Sequence, residues 1–280
     1  MAASTAIQQA QNKLALHWGR RVLSRFVRDD APSATPLAVM MPLAPKDVAR
    51  ARASIPRIRE HLAHPITRFV IVAPESPEVR SLCRKIGLDF IDETAPLNEL
   101  LGPDRVAPMK GWYRQQFLKL FAPEVMEADR VLTIDSDTCP IRPTAFLTPE
   151  GRAIHHRGDR NLAPFHRFTE RLIGATPSPD TSFVAHAMLF EGGPLAGLRD
   201  AIEAHTQKYW VDAILDLIGD DSAGVLSEFD LYGHYMLREM PAQMVTRYYA
   251  NIKVSDDQFT GKTPLPRWKR RFRFVSNHAH

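Results

Sequence analysis

Four short apolar runs constrain this chain more than any other feature of its sequence. They are Leu37-Ala38-Val39-Met40-Met41, residues 66–73, residues 88–91 and residues 130–134, with polar, helix-like stretches between them. The first is wholly apolar and reads as a strand covered on both faces, and the other three, which include Arg68, Asp89 and Arg130, read as strands as well. The stretch to about Leu62 reads as a helix, and so does 78–86, ended by Gly87, a usual residue just past a helix C-terminus. Strand-helix-strand repetition at this spacing predicts a parallel sheet with right-handed crossovers. Such sheets bind ligands beyond the carboxyl ends of their strands. Further strands are expected at 182–190 and 244–254, with a long helix near 194–218.

The chain has 280 residues, 44% hydrophobic and 24% charged, enough for one large α/β domain with a full core or for two modest domains. We expect one domain over residues 35–280, preceded by an extension over 1–34. Residues 5–28 have the pattern of an amphipathic helix, with Leu14, Trp18, Val22 and Phe26 near helical spacing among basic residues. Proline and serine then break the pattern before Leu37. The extension either packs on the domain or lies on a membrane surface.

The net charge is +4, and the basic residues cluster at the two ends. Lys13, Arg20, Arg21, Arg25 and Arg28 form one cluster; Lys262, Arg267, Lys269, Arg270, Arg271 and Arg273 form the other. Attraction to anionic lipid or glycan and a plain solvated face are both open readings. Nucleic acid is disfavoured, since the basic stretches carry no glycine-aromatic RNA signature and no DNA-reading motif. Cys83 and Cys139 sit in apolar surroundings, as buried reduced thiols would. With no Asn-x-Ser/Thr sequon, cleavable signal pattern or membrane-length apolar run, the expected location is cytoplasmic, with peripheral contact at the inner membrane face.

The chemistry concentrates at Asp135-Ser136-Asp137, directly after the apolar Val131-Leu132-Thr133-Ile134. Alternate carboxylates on an extended segment can reach one hard cation, and oxygen ligands suit Mg²⁺ or Mn²⁺. A haloacid-dehalogenase-like phosphohydrolase also places Asp-x-Asp after an apolar strand, with the first Asp as nucleophile. That pattern wants Thr or Val at the fourth residue after it, where this chain has Cys139. The phosphohydrolase stays as an alternative, as does a non-catalytic basic protein that binds membrane surface or glycan. Cys139 follows two carboxylates, whose charge would raise its pKa and make it a poor nucleophile. His155, His156 and His186 have no ligand-like spacing with the Asp pair and read as ordinary residues.

Three further segments carry a family resemblance: Gly111-Trp112-Tyr113-Arg114-Gln115-Gln116-Phe117-Leu118-Lys119-Leu120, residues 182–190, and Ser227-Glu228-Phe229-Asp230-Leu231-Tyr232-Gly233. In that order around Asp135-Ser136-Asp137 the chain resembles a bacterial group of GT-A glycosyltransferase-like proteins, over residues 37–280. The resemblance implies a GT-A fold: an α/β, Rossmann-like, mixed but mostly parallel sheet with flanking helices. It implies a metal-dependent enzyme moving a sugar from a nucleotide-sugar donor to a glycan or glycolipid acceptor, in cell-surface polysaccharide or lipopolysaccharide synthesis. Asp135 and Asp137 would hold the cation, Asp137 directly, while Asp135 could instead touch the donor ribose. His278, or His280 beside it, would add an imidazole ligand. Trp112, Gln115, Gln116 and Lys119 would face the donor. Glu228 and Asp230 match the family's acidic motif, as general base or as binders of acceptor hydroxyls. Their i, i+2 spacing puts them on different faces of a helix, so one of the two is structural. Ser227 also suits a helix N-cap.

Overall fold

The computed structural model describes residues 22, 24–158, 163–178, 181–220 and 222–277. Most of the expected N-terminal amphipathic helix, and His278 and His280, lie outside those residues. The strands are β1 (Leu37–Pro42), β2 (Ile66–Ala73), β3 (Asp89–Asp92), β4 (Arg130–Ile134), β5 (Thr138–Pro140), β6 (Ala153–Arg157), β7 (Ala187–Glu191), β8 (Met244–Tyr248), β9 (Asn251–Lys253) and β10 (Phe274–Ser276). The principal helices are α1 (Val48–His61), α2 (Pro77–Ile86), α3 (Thr94–Leu101), α4 (Gly111–Leu120), α5 (Ala163–Ile173), α6 (Gly192–Thr206), α7 (Trp210–Ile218) and α8 (Glu228–Glu239).

The four apolar runs form the sheet that their pattern predicts. Its order is β3-β2-β1-β4-β7, with the first four strands parallel and β7 antiparallel at one edge. The fold is therefore a mixed α/β architecture with a mainly parallel central sheet and flanking helices. Every residue of β1 is buried, as a strand covered on both faces requires. The chain leaves β1 toward β2 and β3, then returns to place β4 on the other side of β1. That reversal between β1 and β4 opens a crevice beyond their carboxyl ends. Gly87 ends α2 with φ +62°, its N–H bonded to the Cys83 carbonyl.

Three expected elements differ. The strand expected at 182–190 is ordered only from Ala187; before it the chain is irregular and turns at His186, φ +56°. The long helix near 194–218 is two helices, α6 and α7, interrupted where Gln207 takes φ +56°. The strand expected at 244–254 divides into β8, which pairs with β6, and β9, which pairs with β10. Periodicity sees apolar content but not these backbone reversals, which tertiary hydrogen bonds impose.

Residues 24–26 form a 3-10 turn and the chain then runs irregularly, so the helical pattern does not extend to residue 28. The reason is tertiary capture of this segment. Arg273 Nη2 donates to the Arg28 carbonyl at 2.6 Å. Asp30 Oδ2 accepts from Ala145 N at 2.8 Å and from Arg247 Nη1 and Arg273 Nη1 at 2.7 Å each. Arg273 is thus a buried structural cation (4% exposed) rather than part of a surface patch, whereas Arg267, Arg270 and Arg271 are exposed. No described helix is long and apolar enough to cross a membrane.

Candidate active site

The Asp135-Ser136-Asp137 loop is held on both sides. Asp135 N donates to the His186 carbonyl at 2.9 Å, one step beyond the Ile134–Ala187 pair that ends the β4–β7 ladder. Thr138 N then reaches the Asp135 carbonyl at 3.1 Å, closing a tight turn. β5 follows at once and pairs antiparallel with β10, and Asn277 N donates to the Asp137 carbonyl at 2.8 Å. The C-terminal strand therefore braces the loop that carries both carboxylates.

Around that loop lies a cleft of about 560 Å³. Its lining includes Trp112, Gln115, Gln116 and Lys119 from α4, Asp135 and Asp137 after β4, and Ser227 and Glu228 at the start of α8. The sequence-predicted donor face and the acidic motif thus meet in one cavity. Gln116 and Lys119 are buried while Trp112 is 43% exposed at the cleft wall, its ring edge-to-face with Tyr113.

Lys119 is the electrostatic hub. Its Nζ lies 2.6 Å from Asp135 Oδ1 and 2.7 Å from Glu228 Oε1, and 4.3 Å from the centroid of the Phe229 ring. Burial alone would push this ammonium down, but Asp135 and Glu228 outweigh it and hold its pKa above the usual lysine range. Burial likewise opposes the Asp135 charge, yet Lys119 and His186 keep that carboxyl well below the usual range. For Glu228 burial wins: its pKa is raised, with Asp135 adding to the rise and Lys119 opposing it. Lys119 therefore spends its charge on two carboxylates inside the protein rather than standing open for a phosphate, as the sequence reading expected.

His186 is the site residue that sequence reasoning set aside. Its Nδ1 lies 3.0 Å from Asp135 Oδ2, and one ligand atom each from Asp135, Asp137 and His186 fall within 4.8 Å of one another. The residue is 51 positions away in the chain, brought in by the antiparallel β4–β7 register. A signal existed, since the residue before an antiparallel neighbour strand must sit opposite the one after β4. Using it required knowing that β7 runs antiparallel beside β4. A non-glycine residue at φ +56° in this position is also a mark of local strain, of the kind that collects at functional sites. Lys253, Tyr248 and Tyr249 line the cleft as well and were not singled out from sequence.

One expected site residue does not join the cleft, and His278 lies outside the described residues. Asp230 is fully buried on the other side of α8, accepting from Phe183 N at 2.7 Å and Ser182 Oγ at 3.2 Å. The face argument accounts for this: Glu228 points to the cleft and Asp230 away from it. Ser227 fills its cap role, its Oγ accepting from Asp230 N at 3.3 Å. Cys139 has its thiol pKa pushed up to about 11, but by burial rather than by the neighbouring carboxylates, with Arg57 opposing.

The cleft lining carries four carboxylates, Asp47, Asp135, Asp137 and Glu228, against two lysines, Lys119 and Lys253, an excess of negative charge suited to a cation. Two carboxylates and an imidazole make a donor set that fits Mn²⁺ better than Mg²⁺, which prefers oxygen alone.

The profile of DUF6492, a family of unknown function, matches residues 36–268. The chain belongs to this family. Among curated proteins nothing matches the sequence. Solved structures similar in fold include mouse xyloside xylosyltransferase 1 in its apo form, with TM-score 0.48, 17% identity, and coverage of 87% of this chain and 98% of that one. Another is the apo structure of the bifunctional glycosyltransferase WbbM, with TM-score 0.47 and 15% identity over 91% of this chain. The chain spans 47% of that protein's length. The DUF6492 match takes in every site residue named above except Asn277, His278 and His280.

Proposed function

We propose that this DUF6492 protein is a glycosyltransferase that moves a sugar from a nucleotide-diphosphate donor to a hydroxyl of a glycan or glycolipid. The observation that carries the reading is the convergence of Asp135, Asp137 and His186 at the crevice between β1 and β4, in a cleft large enough for a nucleotide sugar.

Asp137 and His186 would hold Mn²⁺ or Mg²⁺, with Asp135 contributing directly or through water. When bound, such a cation supplies Lewis-acid neutralisation of the departing diphosphate. Both Asp135 oxygens already have partners, Lys119 and His186, so Asp135 would reach the cation through water or by exchanging one of those partners. His278 remains in this proposal as a further imidazole donor, since Asn277 just before it is tied to the Asp137 backbone. Trp112 offers an aromatic face to a base or sugar, and Gln115 and Gln116 offer amides. Lys253, on the cleft wall and exposed, suits donor phosphates better than the committed Lys119 does. Glu228 would accept or orient the acceptor proton; its raised pKa brings the carboxylate nearer the working range of a general base. The exposed Arg267, Arg270 and Arg271 suit an anionic acceptor or membrane surface, in keeping with a role in surface polysaccharide synthesis.

Thermal-shift screening of nucleotide diphosphates and nucleotide sugars with and without Mn²⁺ should find a stabilising donor only when Mn²⁺ is present. Calorimetry on Asp137→Asn should then show that donor binding weakened by at least ~100-fold. Unchanged metal-dependent binding in that variant overturns the metal assignment. Release of phosphate from small phosphoesters that depends on Asp135 would favour the phosphohydrolase instead.

A further inference from the structure

A second cluster of ligand-type side chains lies behind the wall that Phe165 and Ser182 give to the cleft. His166 comes from α5, and Asp230 and His234 sit one turn apart on the same face of α8. All three are buried, at 8%, 0% and 5% exposure. One ligand atom from each falls within 4.8 Å of the others.

The polar accounting of this cluster does not close. Asp230 Oδ1 is satisfied by Phe183 N and Ser182 Oγ, but Oδ2 has no hydrogen-bond partner. It faces His166 Nε2 at 3.4 Å. His234 Nε2, 3.9 Å from Oδ1, has no hydrogen-bond partner either. His166 Nε2 lies 3.0 Å from the Thr181 carbonyl. The two ion pairs recorded for Asp230 are both with histidines; no described lysine or arginine pairs with it. A fully buried carboxylate without a cation is strongly unfavourable. Protonating His166 would give Oδ2 an ion-pair partner at 3.4 Å, yet would leave His234 Nε2 unpartnered. One divalent ion would meet all of these needs.

We propose that His166, Asp230 and His234 form a buried metal site of the zinc class, separate from the cleft. Two neutral imidazoles and one carboxylate are a donor set that zinc takes in tetrahedral geometry, and Mg²⁺ or Ca²⁺ does not. The Thr181 carbonyl or a water would complete the fourth position. The ion's role would be structural. It would clamp α5 to α8 and, through the Asp230 bonds to Ser182 and Phe183, fix the segment that forms one wall of the cleft. This assigns Asp230 a ligand's task in place of an acceptor-side one, and it does not rest on the transferase reading.

The test uses the full chain, purified without metal-affinity steps, stripped with chelator and titrated with zinc against a competing chromophoric chelator. Metal content after dialysis is read by mass spectrometry. The wild type should keep about one zinc per chain, and Asp137→Asn should keep it as well. His234→Gln should bind zinc at least ~100-fold more weakly. Cobalt(II) gives a readout that needs no variant: in the wild type a tetrahedral site shows intense visible bands, whereas an oxygen-rich site in the cleft shows only weak ones. Failure of the wild type to retain zinc, weak cobalt bands alone, or zinc that is lost in Asp137→Asn and kept in His234→Gln would each overturn the proposal.

Discussion

Replacing Lys119 with methionine removes the ammonium that both Asp135 and Glu228 contact while keeping most of the side-chain volume. Lys119 is 3% exposed and Glu228 1%, so water replaces the lost ammonium poorly at Glu228, while Asp135 is a quarter exposed and keeps contact with solvent. Removing one partner of a buried ion pair costs about 3–5 kcal/mol, because the remaining charge stays buried. For a chain of this size that corresponds to a fall in Tm on the order of 10 °C. The pH dependence has a definite sign. Burial already raises the Glu228 pKa and Lys119 opposes the rise, so without Lys119 the folded-state value climbs further. A carboxyl raised in the folded state stabilises below its unfolded pKa and loses that contribution as pH rises through the folded value. Lys119→Met should therefore be closest to wild type near pH 5 and furthest from it at pH 8. Urea unfolding followed by circular dichroism at pH 5, 6.5 and 8 measures this. The double variant with Glu228→Gln should recover part of the loss at pH 8, with a coupling of about 0.5–3 kcal/mol. A single variant within about 0.5 kcal/mol of wild type at pH 8, or a double variant that recovers nothing, refutes the buried-hub account.

Other consequences can be read from single substitutions. Burial pushes His155 down to about 4, and neither ring nitrogen has a hydrogen-bond partner. Its neutral form thus contributes stability that is present above the unfolded pKa of about 6.5 and is lost as pH falls toward 4, with a slope of up to ~1.4 kcal/mol per pH unit. His155→Phe should flatten the acid limb of thermal stability between pH 6.5 and 4; an unchanged limb removes His155 as its cause. A Cβ on Gly233 would lie 2.2 Å from Phe183 Cγ, so Gly233→Ala should lose about 1–3 kcal/mol by overpacking, measurable in urea. Ser227→Ala deletes the N-cap of the helix that carries Glu228. It should lose ~1 kcal/mol and speed amide exchange at Asp230, whose N–H the Ser227 hydroxyl accepts.

Much of the site's inventory was legible because it is local. An apolar strand followed by Asp-Ser-Asp, a Gly-Trp-Tyr-Arg-Gln-Gln helix with two faces, and a serine before an acidic first turn are patterns of adjacent residues. Their physics, period and capping, acts over a few positions. The same locality separated Glu228 from Asp230, since two residues along a helix is just over half a turn. It failed at 182–190 and at 194–218, where positive-φ residues, His186 and Gln207, break elements that apolar content alone would continue.

By itself, then, the sequence determined the parallel core β1 to β4 and the placing of Asp135 and Asp137 beyond its carboxyl edge. Short apolar-rich runs alternating with helix-like stretches pack as a parallel sheet with helices on its faces, and a ligand edge follows from that geometry. Which side chains meet the carboxylates was decided by tertiary structure alone. His186 arrives through the antiparallel register of β7 with β4, and Lys119 joins Asp135 to Glu228 only because α4 and α8 both face the cleft. The pKa directions at the site depend on those same contacts. Charge interactions fall off with distance through space and not along the chain, so no spacing in the sequence encodes them.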